Sequence, residues 1–188
     1  EAIFIATPVS QHYMLALGAL REGKHVFVEK PLASTSQEAE QLAKEADKRG
    51  LVLMVNHVFV FSSAVQKIKA LLDEDHLGEL LYYDSVRVNL GIFRSDVNVV
   101  WDLAIHDLSI MDFLLDRNPS FISATVVSHF NGHPGNIAYL TCFFEDKLVA
   151  HINVNWLAPV KIRRTLIGGT SKMIVYDELE PDQKVKIF

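Results

Sequence analysis

Asp102, His106 and Ser109 recur at i, i+4 and i+7 in VVWDLAIHDLSIMDFLL, so an α-helix would carry them on one face. Most of the remaining positions are apolar, and the helix is expected to be buried nearly all round. A polar stripe on such a helix must be hydrogen-bonded or line a cavity, because an unpaired buried amide or hydroxyl costs roughly 2–7 kcal/mol and a charge more. Asp102 and His106 can satisfy each other, or serve as two ligands of a metal. A catalytic zinc takes three protein ligands, however, and no second histidine pair is evident. Asp107 and Asp112 are expected to reach solvent at the rim.

A second candidate is Lys30, which follows HVFV in HVFVEKPLA between Glu29 and Pro31. A lone lysine after a strand is ordinarily a solvated end. Here Pro31 biases Lys30 away from helical geometry, which would fix an ammonium where the strand stops.

The elements that position these groups follow from periodicity. IFIAT, HVFV and LVLMV are strand patterns separated by two helix patterns, PVSQHYMLALGALREG and SQEAEQLAKEADKR. Thr35 and Glu38 have capping-box spacing, and Gly23 and Gly50 suit helix C-termini. Strand, helix, strand, helix, strand predicts a parallel sheet with right-handed crossovers, whose ligands bind beyond the carboxyl ends of the strands. Those ends read Thr7-Pro8, Glu29-Lys30-Pro31 and Asn56-His57. After about residue 57 the pattern changes. An amphipathic helix ending near Gly78, the strand LLYYDSVRVNL and the Asp102 helix precede five further strand patterns, joined by turns containing Asn-Gly, Glu-Asp and Gly-Gly, and a last one, KVKIF. This predicts an antiparallel meander in a second unit of α+β type.

The totals exclude some functions. The 188 residues carry a formal charge of -5, which leaves no basic surface for a nucleic-acid backbone. No window approaches the 18 or so apolar residues of a membrane span, so no membrane partner is expected. The single cysteine, Cys142, lies in AYLTCFF and reads as a buried strand thiol in a cytoplasmic protein.

EKP after HVFV, Thr-Pro-x-x-x-His in ATPVSQH and Asp-x-x-x-His in WDLAIHD, in this order and at these separations, resemble the glucose-fructose oxidoreductase and inositol dehydrogenase (Gfo/Idh/MocA) family. The resemblance covers nearly the whole chain. It implies an α/β fold: residues 1–57 as the C-terminal half of a Rossmann-type parallel sheet binding NAD or NADP, then residues 58–188 as a substrate-binding α+β domain with a large, mostly antiparallel open sheet. That sheet would assemble a homodimer or homotetramer. The implied reaction is hydride transfer between a nicotinamide and a secondary alcohol or ketone of a sugar, nucleotide-linked sugar or cyclitol.

By the same resemblance, Lys30 would lie beneath the nicotinamide and bond the substrate hydroxyl, His106 would be the general base, and Asp102 would orient the pair. Hydride leaves a carbinol carbon readily only as its oxygen becomes anionic, so an ammonium and an imidazole suit the task. Thr7, Pro8 and His12 would lie along the cofactor, with Glu29 and Asn56 near the nicotinamide or its ribose; Pro31 and Trp101 complete the cofactor set. Arg87, Asn89 and Arg94 precede the catalytic helix and would bind substrate, since an arginine fork suits a carboxylate or phosphate. This stretch is similar to the branch acting on nucleotide-linked sugars, including UDP-linked amino-sugar acid 3-dehydrogenases.

One departure is large. None of the nine glycines forms the G-x-G-x-x-G turn that admits a pyrophosphate, and the acidic residue after the second strand is absent. The expectation is that roughly the first half of the Rossmann domain is missing and that this stretch alone is inactive. Two other functions stay open: a noncatalytic or regulatory oligomeric binding protein of the same fold, and a metal-dependent enzyme using Asp102 and His106.

Overall fold

Three short apolar strands, β1 (Ala2–Ile5), β2 (His25–Val28) and β3 (Leu53–Val55), pair in the order β1-β2-β3 with both ladders parallel. They belong to the first of two units, Glu1–Val58 and Phe59–Phe188, in a computed structural model that describes residues 1–91, 94–95 and 97–188. Between the strands run α1 (Val9–Arg21) and α2 (Ser36–Arg49). Thr35 Oγ1 accepts from the Glu38 N–H at 3.2 Å, and Ser34 N–H donates to Glu38 Oε2 at 3.1 Å, so the capping box closes one residue further out than its usual form. Gly50, at φ +63°, ends α2 in the left-handed region, which a glycine enters without a Cβ penalty. Val26 and Val28 pack with Leu20, Leu42 and Ala46 in the unit's core.

In the register of this sheet Ile5, Val28 and Val55 stand level. The Glu29 N–H donates to the Ile5 carbonyl at 2.9 Å and the Asn56 N–H to the Val28 carbonyl at 2.8 Å, which carries the ladder one residue further. Thr7, Glu29-Lys30 and Asn56 therefore leave the sheet at one edge, as the parallel arrangement predicts.

The second unit contains α3 (Ser63–Asp73), β4 (Leu80–Leu90), a π-helical turn over Val100–Ala104, α4 (Ile105–Leu115), and β5 (Phe121–Val127), β6 (Ile137–Phe143), β7 (Val149–Asn155), β8 (Leu157–Gly169), β9 (Met173–Asp177) and β10 (Val185–Ile187). Ser62 caps α3 by accepting from the Val65 N–H at 3.4 Å. The seven strands are ordered β10-β9-β8-β4-β7-β6-β5. This corrects the expected run of hairpins: β7 and β8 are not neighbours, because β4 lies between them, parallel to β7 and antiparallel to β8. Tyr83, Ser85 and Arg87 are buried at alternate positions of β4, as befits a strand paired on both edges with one face on the core. The rest of the sheet is antiparallel, so the mixed α/β class holds.

Two boundaries also differ from expectation. α3 stops at Asp73, and Gly78, at φ +68°, lies in the turn that follows. Gly168-Gly169 is not a turn but the end of β8. A Cβ on Gly169 would stand 2.2 Å from the Leu77 carbonyl oxygen, and one on Gly168 would stand 2.1 Å from the Tyr82 ring. The glycines are needed because backbone and ring pass where a side chain would be. Cys142 is fully buried in β6, and that burial pushes its thiol pKa up. Among the described residues no helix is long and apolar enough to cross a membrane. Gly169→Ala is expected to destabilise the protein by about 2 kcal/mol, since the obstructing atom is backbone and cannot rotate away. A urea midpoint unchanged from wild type would contradict this packing.

Candidate functional site

At the strand-end edge of the first unit, the structure ties the predicted residues to one another. His12 is 1% exposed, and its Nδ1 and Nε2 lie 2.8 Å from the carbonyl oxygens of Pro31 and Thr7 respectively. The imidazole thus bolts α1 to the end of β1 and to the Lys30-Pro31 turn. Asn56 Nδ2 donates to Glu29 Oε1 at 2.7 Å, joining the ends of β2 and β3. Lys30 is half-buried, Pro31 buried and Pro8 exposed. Thr7 Oγ1 is buried and has no hydrogen-bond partner among the described residues. A buried, unanswered hydroxyl at the carboxyl edge of a parallel sheet suits a polar ligand such as a dinucleotide.

In the second unit the Asp102 segment is wound differently from the α-helical periodicity. Val100–Ala104 is a π turn, so Asp102 lies on a wider turn than i, i+4 spacing predicts. Asn98, which the pattern did not single out, opens this turn: its Oδ1 accepts from the N–H groups of Val100 at 3.0 Å and Trp101 at 3.2 Å. Asp102 Oδ2 accepts from Trp156 Nε1 at 3.2 Å, and Oδ1 pairs with Arg94 Nε at 3.3 Å. Half-buried His106 lies in the first turn of α4, and its ring meets Phe59 edge-on at 4.8 Å and 87°. Ser109 is answered locally, its hydroxyl donating to the His106 carbonyl at 2.8 Å.

Asp107 is the main correction. It was expected at the solvent rim and is instead 2% exposed, with Ser85 Oγ donating to Oδ1 at 2.6 Å and Arg87 Nε to Oδ2 at 2.7 Å. Asp112, one turn on, is exposed as expected. The physical reason is on β4, where Ser85 and Arg87 face the core at i and i+2 and need an acid between them and the helix.

Arg87, proposed for substrate, is 3% exposed and points into this network. It also pairs with Glu178 at 2.9 Å, while Glu178 bonds Arg163 across the sheet, and its guanidinium carbon lies 4.9 Å over the Phe59 ring. Burial opposes the Arg87 charge, but Asp107 and Glu178 outweigh it and hold its pKa above the ordinary value. Burial pushes the Tyr83 phenol well up, and nearby Asp107 adds to the shift. Arg94 is exposed, whereas Asn89 and Trp101 are half-buried. Among the described residues no three His, Cys, Asp or Glu side chains stand together so as to hold a metal ion.

Comparison with known proteins places these two units. Residues 1–57 match the family model described as oxidoreductase family, NAD-binding Rossmann fold, and residues 65–175 match the GFO/IDH/MocA C-terminal domain. The chain belongs to the Gfo/Idh/MocA oxidoreductase family. A UDP-N-acetylglucosamine 3-dehydrogenase of Acidithiobacillus ferrooxidans is 32% identical over 129 residues, which cover 68% of this chain and 40% of that protein. The scyllo-inositol 2-dehydrogenase (NADP(+)) IolW of Bacillus subtilis is 32% identical over 101 residues, 54% of this chain and 27% of that protein. The crystal structure of the Acidithiobacillus enzyme, GnnA, superposes on the whole chain with a TM-score of 0.86 at 27% identity, using 60% of its own length. The chain therefore spans well under half the length of these curated relatives and about three fifths of that solved structure.

The adjacent arginines of β8 diverge: Arg163 goes to Glu178, while exposed Arg164 donates to Asp177 Oδ2 from Nε at 3.1 Å and Nη2 at 2.7 Å. Burial pushes the Asp177 carboxyl up, but Arg164 and the Leu179 N–H outweigh it and hold the pKa below the usual range. A depressed folded pKa contributes stability that is present above the ordinary carboxylate value and lost as pH falls through the folded one. Arg164→Ala is therefore expected to lower the urea midpoint most near neutral pH, with the gap from wild type closing below about pH 4. A gap that persists undiminished in acid would contradict the assignment.

Proposed function

We propose that the intact protein is a nicotinamide-dependent dehydrogenase, using NAD or NADP, that interconverts a secondary alcohol and a ketone on a sugar, nucleotide-linked sugar or cyclitol. The observation that carries this reading is the agreement between the family match of residues 1–57 and the position of Lys30, just past the central strand of a parallel sheet. In this reading Glu1–Val58 is cofactor-binding and Phe59–Phe188 is substrate-binding. Thr7, Pro8, Glu29, Lys30, Pro31 and Asn56 hold the dinucleotide, and Trp101 belongs to the same cofactor set. His12 serves that edge by bracing it.

A nicotinamide, when bound, supplies the hydride acceptor or donor. The chain's own residues handle the oxygen and its proton. In the oxidative direction the carbinol oxygen gives its proton to the His106 imidazole, the Lys30 ammonium stabilises the alkoxide character that develops, and the carbon loses hydride to leave a ketone. Asp102, held by the Trp156 indole N–H, orients these groups. Arg94 and Asn89 are the remaining substrate contacts. Arg87 supports the reading through the core, since its guanidinium is committed to Asp107 and Glu178. The nucleotide-sugar branch is favoured by the Acidithiobacillus relative, whose name specifies UDP-N-acetylglucosamine.

The assembly is a homodimer or homotetramer built on the sheet of the second unit. Phe121, Val127, Tyr139 and Phe143 present large apolar groups to solvent on one face of the neighbouring strands β5 and β6, a patch suited to a second copy. A cytoplasmic setting suits the single, buried thiol.

The test is turnover by the full-length protein on a verified sugar or cyclitol substrate. Lys30→Ala and His106→Ala are each expected to lower kcat by about 100- to 10,000-fold while dinucleotide still binds, as followed by nicotinamide fluorescence. Wild-type turnover in either variant removes that residue from the mechanism.

A further inference from the structure

We propose that the buried Arg87–Asp107 pair is a positioning device for His106, gripping it from its backbone and from its ring; the proposal rests on His106 as the general base. The backbone grip runs through Asp107, the next residue in the chain. Its two carboxylate oxygens are taken separately, Oδ1 by Ser85 at 2.6 Å and Oδ2 by Arg87 at 2.7 Å. Both donors stand on one face of β4, two residues apart. The first turn of α4 cannot roll or slide on the sheet without breaking one of these bonds. Tyr83 adds a longer bond from its hydroxyl to the Asp107 carbonyl at 3.4 Å.

The ring grip runs through Phe59. The Arg87 guanidinium lies 4.9 Å over the Phe59 ring, and Phe59 in turn meets the His106 imidazole edge-on at 4.8 Å. Arg87 is itself held by Glu178 at 2.9 Å, which Arg163 braces from β8. Both routes to His106 therefore start from one guanidinium. A buried ion pair is weak evidence for stability, because apolar residues of the same volume often serve as well. What such a pair provides is a single geometry. A base must stand within hydrogen-bond reach of the proton it takes, and an error of about 1 Å can cost on the order of 100-fold in rate.

The experiment uses the full-length protein with three changes: Asp107→Asn, Phe59→Leu, and the apolar pair Arg87→Met with Asp107→Leu. His106→Ala serves as reference. Steady-state kinetics separate kcat from KM, and the ring carbons of labelled histidine report on His106, whose signal is the one missing in His106→Ala. All three changes are expected to lower kcat by about 10- to 100-fold with KM within about twofold, to shift the pH profile of kcat, and to move the His106 signal. Phe59→Leu takes no charge from the core, so it decides the matter if the Asp107 variants do not fold. Wild-type kcat and an unmoved His106 signal in folded variants, beside a large loss in His106→Ala, overturn the positioning role and leave the base assignment standing. Undiminished turnover in His106→Ala overturns the base assignment and this proposal with it.

Discussion

The second unit is organised around one carboxylate. Asp107 is almost wholly buried, and a charge in that position persists only if it is paired and fully hydrogen-bonded. Arg87 and Ser85 meet that demand from β4, and Glu178 answers the arginine in turn. From this follow the placement of α4 against the central strand, the inward facing of alternate polar residues on β4, and the commitment of Phe59 beneath the guanidinium. His106, the residue before Asp107 and in contact with Phe59, inherits its position from that arrangement. The proposed reacting groups are therefore partly exposed while their supports are not, which is how a site can stay open to a ligand and still keep its geometry.

The first unit fixes its strand-end edge with different groups. Parallel pairing brings the ends of three strands to one level, and two side-chain bridges then fix the edge: His12 between the Thr7 and Pro31 carbonyls, and Asn56 on Glu29. These bonds answer backbone and side-chain groups that would otherwise stand unpaired where the strands stop. Lys30 is held within this frame, and the unpartnered Thr7 hydroxyl remains as the polar group for a ligand to meet.

Local patterns foretold the first unit well. The alternation of short apolar runs with capped helices, and the turn residues Thr35 and Gly50, are encoded within a few residues of the features they produce. The second unit was less legible where distant strands meet. Nothing near β4 announces that it will separate β7 from β8, because that order is decided by which strands can be buried on both edges. Asp107 was misplaced for a related reason: its sequence neighbours suggest a rim, while its partners lie about 20 residues earlier on another element. The usable signal was on β4, where Ser85 and Arg87 share an inward face with the buried Tyr83. The π turn at Asp102 was hidden as well, since apolar spacing alone does not tell a wider turn from an α-helical one.

Hydride transfer from a sugar carbon remains the claim on which the functional account stands, and isotope tracing addresses it most directly. UDP-N-acetylglucosamine deuterated at C3 and ring-deuterated scyllo-inositol would be offered to the full-length protein with NAD or NADP, and the reduced dinucleotide and the solvent analysed for label. The account predicts deuterium at the nicotinamide ring, one atom for each ketone formed. Consumption of either substrate with its deuterium released to water would contradict it.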